Sequence, residues 1–126
     1  MNEYLFRGKR VDNGEWVYGL PYKAKYGCIS SIINDDEERF LILPKTVGQY
    51  TGSKDKNGNK IFEGDIIKGT IVSQWSKRKI VCRIGWKIDS FVSIDRKNYI
   101  HKVKFAKDIE VIGNVYDNPE LLEDEE

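Results

Sequence analysis

The stretch Lys79-Ile80-Val81-Cys82-Arg83-Ile84-Gly85-Trp86-Lys87-Ile88 decides the fold class of this chain, because its residues alternate with a period of two. Ile, Cys, Ile, Trp and Ile occupy the even positions, whereas Lys79, Arg83 and Lys87 occupy odd ones. Successive side chains of a strand point to opposite faces, so this pattern predicts an antiparallel strand with one buried and one solvated face. Trp86 is accordingly predicted to belong to the core.

Glycine-containing turns on either side of this strand extend the β pattern over the whole chain. The step Gly64-Asp65 enters a β-branched strand, which is typical of small SH3-like barrels, and Asp65 is expected to cap the turn. We therefore predict a mainly β fold in a single domain of 126 residues. An N-terminal β-hairpin region (1–60) precedes an SH3-like antiparallel barrel (61–116), and a short helix with an acidic tail (117–126) ends the chain.

Local signals define the predicted hairpins and the helix. The turn Val11–Gly14 joins the first two strands, and the acidic segment Asn34–Glu38 joins a second pair. A third hairpin has its tip at Ser76–Lys79. Apolar residues on both faces of Ile109–Tyr116 predict a central strand, and Asn118-Pro119 predicts an N-cap and the first helical residue.

Composition narrows the class of protein. Hydrophobic residues make up 40% of the chain and charged residues 33%, as in an ordinary globular protein. The sequence contains neither an apolar run of about 20 residues nor a signal-peptide pattern, so we expect a cytoplasmic protein with no membrane contact. Cys28 and Cys82 are far apart and are expected to be reduced thiols without metal or redox chemistry.

Catalytic constellations are missing from the sequence. The single histidine, His101, shares a strand face with Val103 and Phe105, and one histidine with two distant cysteines does not suit zinc. Glu63 and Asp65 are two residues apart, as in a carboxylate pair, but a turn cap for Asp65 and a solvated Glu63 are the favoured interpretation. Phosphate-binding glycine patterns are absent. We expect a protein that is not an enzyme and has no cofactor or metal.

Several segments spread along the chain resemble the YopX-like family of bacteriophage and prophage proteins. They are Phe6–Lys9 (FRGK), Gly14–Gly19 (GEWVYG), Thr46–Gly52 (TVGQYTG), Asp55–Gly58 (DKNG), Phe62–Asp65 (FEGD) and Ile109–Leu122 (IEVIGNVYDNPELL). The resemblance implies expression in a bacterial host cell. It brings neither an activity nor catalytic residues.

Charge is strongly segregated although the chain carries a net charge of only +1. Lys68–Lys107 has eight lysines and three arginines against two aspartates, a net charge of +9, and Asp108–Glu126 has eight acids and no base. Cations interleaved with aromatic rings are typical of single-stranded nucleic-acid sites. The candidate contacts are Trp75, Lys77, Arg78, Lys79, Arg83, Lys87, Tyr99, Lys102 and Lys104.

The acidic C-terminal segment supports a different hypothesis. It can cover the basic stretch of its own chain or reach that of a second copy. The candidate interaction tail comprises Leu121, Leu122, Glu123, Asp124, Glu125 and Glu126. We therefore predict an interaction or self-assembly module, a homo-oligomer or a binder of phage or host proteins, with nucleic-acid binding through the basic β-hairpin as the alternative.

Overall fold

The computed structural model describes residues 5–23, 29–72, 74, 77–87, 90–95, 100–101 and 106–123. The chain divides into two compact units, Met1–Tyr50 and Thr51–Glu126, each built from antiparallel strands. The predicted mainly β class is confirmed. No helix in the described ranges is long and apolar enough to cross a membrane.

The first unit contains a sheet with the strand order β4-β3-β2-β1-β5. Its elements are β1 (Phe6–Lys9), β2 (Trp16–Lys23), β3 (Ile29–Ile33), β4 (Arg39–Leu41), a 3-10 turn (Pro44–Thr46) and β5 (Gly48–Lys54), in which the boundary between the units falls. Among the residues of this unit that the structure describes, the buried apolar side chains are Ile32 and Ile42. Gly8 packs closely against Ile42, because a Cβ on Gly8 would lie 3.1 Å from the Cβ of Ile42.

Both predicted hairpins of this unit are confirmed. Gly14 adopts φ +73° in the first turn, and the Asn13 side chain accepts a hydrogen bond from the Glu15 N–H at 2.9 Å. In the acidic loop between β3 and β4, Asn34 Oδ1 accepts from the N–H groups of Asp36 and Glu38. This side chain fixes the loop and leaves its four acids exposed to solvent.

The second unit contains a five-stranded sheet with the order β10-β9-β8-β7-β11. Its elements are β6 (Lys60–Phe62), which lies beside β5, β7 (Asp65–Val72), β8 (Lys77–Lys87), β9 (Ser90–Asp95), β10 (Ile100–His101), β11 (Ala106–Asn114) and a 3-10 turn (Pro119–Leu122). The core consists of Ile61, Ile67, Ile80, Cys82 and Ile84, against which Ile109 and Val111 pack. The predicted inward face of β8 is therefore confirmed for its described side chains, whereas the Trp86 side chain lies outside the described part.

Three finer predictions need correction. The described ladders do not close the sheet into an SH3-like barrel, because no pairing joins its outermost strands, β10 and β11. For the same reason β11 is not central. Its apolar residues fall on both faces because two β-bulges, at Lys107/Glu110 and Val111/Gly113, interrupt the alternation.

The predicted C-terminal helix is a single 3-10 turn. It begins at Pro119 as expected, but its C-cap, Glu123, is already extended (φ −77°, ψ 140°). Acidic side chains oppose continuation here, because the C-terminal end of a helix carries partial negative charge. Asn118 does not cap the turn with its side chain, since its Oδ1 accepts from the Asn114 N–H at 3.3 Å.

Two aspartates organise the second unit. Asp65 is buried, and its Oδ2 accepts from the Phe62 N–H at 2.7 Å, which confirms the predicted turn cap beside Gly64 (φ +92°). Asp55, which the sequence did not single out, is only 7% exposed. Its Oδ1 accepts from the N–H groups of Asn57 and Asn59 at 2.9 and 2.8 Å, and its Oδ2 accepts from the Val111 N–H at 3.0 Å.

These contacts decide the ionisation of Asp55. Burial raises its pKa and is the largest single influence. Together, however, its hydrogen bonds lower the pKa by more than burial raises it. The donors are the backbone N–H groups of Val111, Asn59 and Asn57 and the side-chain amide of Asn59, so the pKa of Asp55 lies below its ordinary value of 3.8. A carboxyl with a lowered folded-state pKa stabilises the fold above its ordinary pKa, and this stabilisation is lost as the pH falls toward the folded-state value.

We predict that Asp55→Ala lowers the free energy of unfolding by about 2 kcal/mol at pH 7, because the N–H groups of Asn57, Asn59 and Val111 lose a charged acceptor. The wild-type chain should lose stability as the pH falls below 3.8, and Asp55→Asn should flatten that loss. Urea denaturation at several pH values measures both effects. The control is Asp12→Asn, since Asp12 pairs with Arg10 on an exposed turn and should matter far less. Equal acid sensitivity of the wild type and Asp55→Asn would contradict the prediction.

Candidate functional site

The predicted basic stripe lies partly on β8. Lys77, Lys79 and Arg83 occupy alternate positions of the strand, and the side chains of Lys77 and Lys79 are exposed. Lys68 of β7 lies in register with Val81 and therefore shares this face. Its ammonium group is 3.4 Å from Glu110 Oε1, and Glu110 also lies 3.7 Å from Lys56. An acidic side chain thus neutralises part of the basic face.

Several predicted contacts do not join this stripe. Arg78 pairs with Ile71 at an intervening position of β8. Residues 77–79 belong to this strand, since they pair with Val72, Ile71 and Thr70, and this corrects their predicted place in the hairpin tip Ser76–Lys79. Lys87 lies on β8 in register with Ser90, but its side chain is outside the description. The remaining predicted contacts, Trp75, Tyr99, Lys102 and Lys104, fall outside the described residues.

Arg83 lies in a cleft of the second unit and is half-buried, unlike Lys77 and Lys79. The cleft has a volume of about 400 Å³. It is lined by Glu63, Gly64, Arg83, Ile84, Gly85, Ile94, Val115, Tyr116 and Leu122. A Cβ on Gly85 would lie 3.2 Å from Ile94 Cδ1 and 3.7 Å from an Nη atom of Arg83. The missing side chain of Gly85 therefore leaves room between the arginine and the apolar wall.

The backbone of Gly64 holds the walls of this cleft together. Its N–H donates to the Ile84 carbonyl at 2.8 Å, and its carbonyl accepts from the Val115 N–H at 2.9 Å. The 3-10 turn then brings Leu122 to the cleft. The sequence analysis placed Glu63 in a possible carboxylate pair, Arg83 among the nucleic-acid contacts and Leu122 in the interaction tail. The structure brings these three residues together in one cleft.

The predicted interaction tail is described only at its start. Leu121 and Leu122 are half-buried and Glu123 is exposed, while Asp124, Glu125 and Glu126 lie outside the described residues. Glu123 follows Leu122 directly, yet it forms no ion pair with Arg83 in the described part of the chain. In that part, the acidic segment contacts basic residues through Glu110 of β11.

The structure gives different roles to the two carboxylates considered for catalysis. The carboxylate of Asp65 accepts the turn-capping hydrogen bond from the Phe62 N–H, whereas Glu63 lines the cleft. His101 lies on β10, but its side chain is not among those described. No group of three or more potential metal-binding side chains occurs within the described ranges.

A surface that the sequence did not predict lies on the sheet of the first unit. Tyr18, Leu20 and Tyr22 lie at alternate positions of β2, and Tyr22, Ser31 and Leu41 are in register across three strands. These four large side chains, Tyr18, Leu20, Tyr22 and Leu41, are between 44% and 62% exposed, and we call them the aromatic face. The alternation of large residues in β2 could have indicated this surface. The intervening residues Val17, Gly19 and Pro21 are also nonpolar, however, so the sequence did not show which side of the strand is exposed.

Cations flank the aromatic face. The Arg39 guanidinium lies 4.4 Å from the centre of the Tyr22 ring, and its Nε donates to Ser31 Oγ at 3.1 Å. On the same side of the sheet, Arg7 and Lys9 lie over Trp16 at 4.5 and 5.7 Å from the ring centre. Stacked guanidinium groups beside tyrosines are a frequent feature of protein interfaces.

Comparison with known proteins gives a family and a fold. A crystal structure of protein EF1440 from Enterococcus faecalis is similar, with 26% sequence identity and a TM-score of 0.66, and the match covers 95% of this chain and 98% of that one. Comparison with curated proteins gives no match. The family model described as "YopX protein" matches residues 5–123. Because this match spans nearly the whole sequence, the chain belongs to the YopX protein family.

Proposed function

We propose that the chain is a non-enzymatic interaction module that self-associates through the aromatic face. The observation that carries this proposal is the exposure of four large side chains on one side of a single sheet, with Leu41 62% exposed. Scattered exposed apolar residues are common, but several large ones grouped on one face of a sheet are typical of an interface. Burying such side chains against a partner contributes about 25 cal/mol per Å² of apolar area.

The composition of the first unit favours a protein partner over nucleic acid. Residues 1–50 contain seven bases and seven acids, so the unit attracts no polyanion through its net charge. Tyrosine and arginine are enriched at protein interfaces, whereas lysine is depleted there. The aromatic face contains two tyrosines and has Arg39 stacked on Tyr22.

A second copy of the chain is the partner that the charges suit best. The exposed acids Asp35, Asp36, Glu37 and Glu38 immediately precede the exposed Arg39 at the start of β4. A twofold interface repeats each contact, so the acidic loop of one copy can face the arginine of the other. In line with the phage and prophage resemblance, we propose that this assembly acts in the cytoplasm of a bacterial host.

Substitutions on the aromatic face should separate the copies. Leu41→Glu and Tyr22→Glu each put a charge into a contact that must exclude water, and we expect either change to shift the mass from 29 kDa or more toward the 14.6 kDa of one chain. Size-exclusion chromatography with light scattering measures this shift. Ser53→Glu, which adds the same charge at an exposed residue of β5 outside the aromatic face, should leave the mass unchanged.

A wild-type mass of 14.6 kDa at concentrations of about 100 μM would overturn self-association. Loss of the assembly in Ser53→Glu as well as Leu41→Glu would show that added charge, and not this face, is responsible. Circular dichroism of each variant distinguishes dissociation from unfolding.

Nucleic-acid binding is the second candidate function, and the exposed Lys77 and Lys79 on one side of β8 favour it. Lys68 on the neighbouring strand adds a third cation to the same side. Lysines on an outward strand face also keep a sheet soluble, so their exposure by itself does not require a ligand.

Salt dependence tests this second candidate. Three phosphate contacts give a log–log slope of about −2 on single strands and about −3 on duplex. The double variant Lys77→Glu, Lys79→Glu should weaken binding, and deletion of residues 123–126 should strengthen it because competing carboxylates are removed. Fluorescence anisotropy with labelled oligonucleotides measures both effects. Affinity that is absent or insensitive to salt would contradict this function.

A further inference from the structure

The cleft of the second unit contains two opposite charges that are not paired with each other. Glu63 and Arg83 both line it and both are half-buried. Within the described part of the chain, neither side chain has a hydrogen-bond or ion-pair partner. A partly desolvated charge without a partner is costly, and a ligand group of opposite sign would offset this cost.

The remaining walls of the cleft suit a hydrocarbon group. Ile94, Val115 and Leu122 supply the apolar lining. Gly85 keeps the space beside Arg83 open, because a Cβ at this position would approach both Ile94 and Arg83. The volume of about 400 Å³ is near the lower end of ligand pockets, which span roughly 300–1,000 Å³.

We propose that this cleft binds a small zwitterionic ligand, an apolar α-amino acid or a short apolar peptide. Arg83 binds its carboxylate, since a guanidinium presents two parallel donors to a carboxylate. Glu63 accepts hydrogen bonds from its ammonium group, and the apolar wall contacts its side chain. This site is separate from the aromatic face, so it does not depend on the proposed self-association.

Binding to the full chain is measured by isothermal titration calorimetry with four probes. L-Leucine and leucyl-leucine carry both charges, N-acetyl-leucine lacks the ammonium group, and leucinamide lacks the carboxylate. We expect at least one zwitterionic probe to bind with a Kd of about 1 mM or tighter. Removal of either charge from the ligand should weaken binding about ten- to a hundredfold, as loss of a charge-assisted hydrogen bond does.

Variants assign each charge to its residue. Arg83→Gln should weaken binding of N-acetyl-leucine but not of leucinamide, and Glu63→Gln should have the converse effect. Gly85→Val fills the cleft without changing its charges and should abolish binding of all four probes. Lys79→Gln is the matched control, because Lys79 lies on the same strand as Arg83 but is exposed and outside the cleft. Thermal unfolding identifies any variant that fails to fold.

Three results would overturn the proposal. One is the absence of saturable binding of leucine and leucyl-leucine to the folded wild-type chain at about 50 mM. Another is equal affinity for N-acetyl-leucine and leucine, which would make the cleft a site for anions alone. The third is unchanged leucine binding in Glu63→Gln or in Gly85→Val, provided that the variant is folded. These two variants test the proposal even if Arg83→Gln does not fold.

Discussion

The second unit depends on the buried carboxylate of Asp55. It accepts hydrogen bonds from the following turn and from Val111, which lies 56 residues later in the chain. The neighbouring N–H of Lys56 donates to the Ile109 carbonyl. These bonds hold β11 at the end of its sheet, where Ile109 and Val111 reach the isoleucine core. A hydrogen bond that closes such a long loop must offset its entropy, and burial beside the core strengthens it.

The cleft follows from that placement of β11. Once the strand is fixed, residues 115–122 return toward Gly64, whose peptide group binds Ile84 on one side and Val115 on the other. Gly64 has φ +92°, a conformation that is costly for residues with a Cβ, and Asp65 closes the turn through its carboxylate. Backbone hydrogen bonds therefore determine where Glu63, Arg83 and Leu122 come together, and within the described ranges no hydrogen bond or ion pair engages the side chains of Glu63 and Arg83.

The two blocks of opposite charge have a structural role that is independent of any partner. Glu110 of the acidic block lies in register with Lys68 of the basic block, because β11 pairs with β7. Its carboxylate is close to both Lys68 and Lys56, so charges that are separated along the chain meet across the sheet. Exposed pairs of this kind contribute little to stability, but they reduce the positive field of the basic face.

Residue order was sufficient to predict the β class, the first hairpins, the inward face of β8 and the turn cap of Asp65, because each depends on period-two alternation or on a local turn residue. Alternation also predicted that Lys79 would face solvent. It could not predict which nonpolar side of β2 would be covered, since Tyr18, Leu20 and Tyr22 alternate with residues that are nonpolar too. It misassigned β11 because bulges shift the register without a marker in the residue types. The tertiary structure alone determines the role of Asp55, the burial of Arg83 and the position of Arg83 in the same cleft as Glu63. These features depend on contacts between residues that are distant in sequence and come together only when the strands assemble.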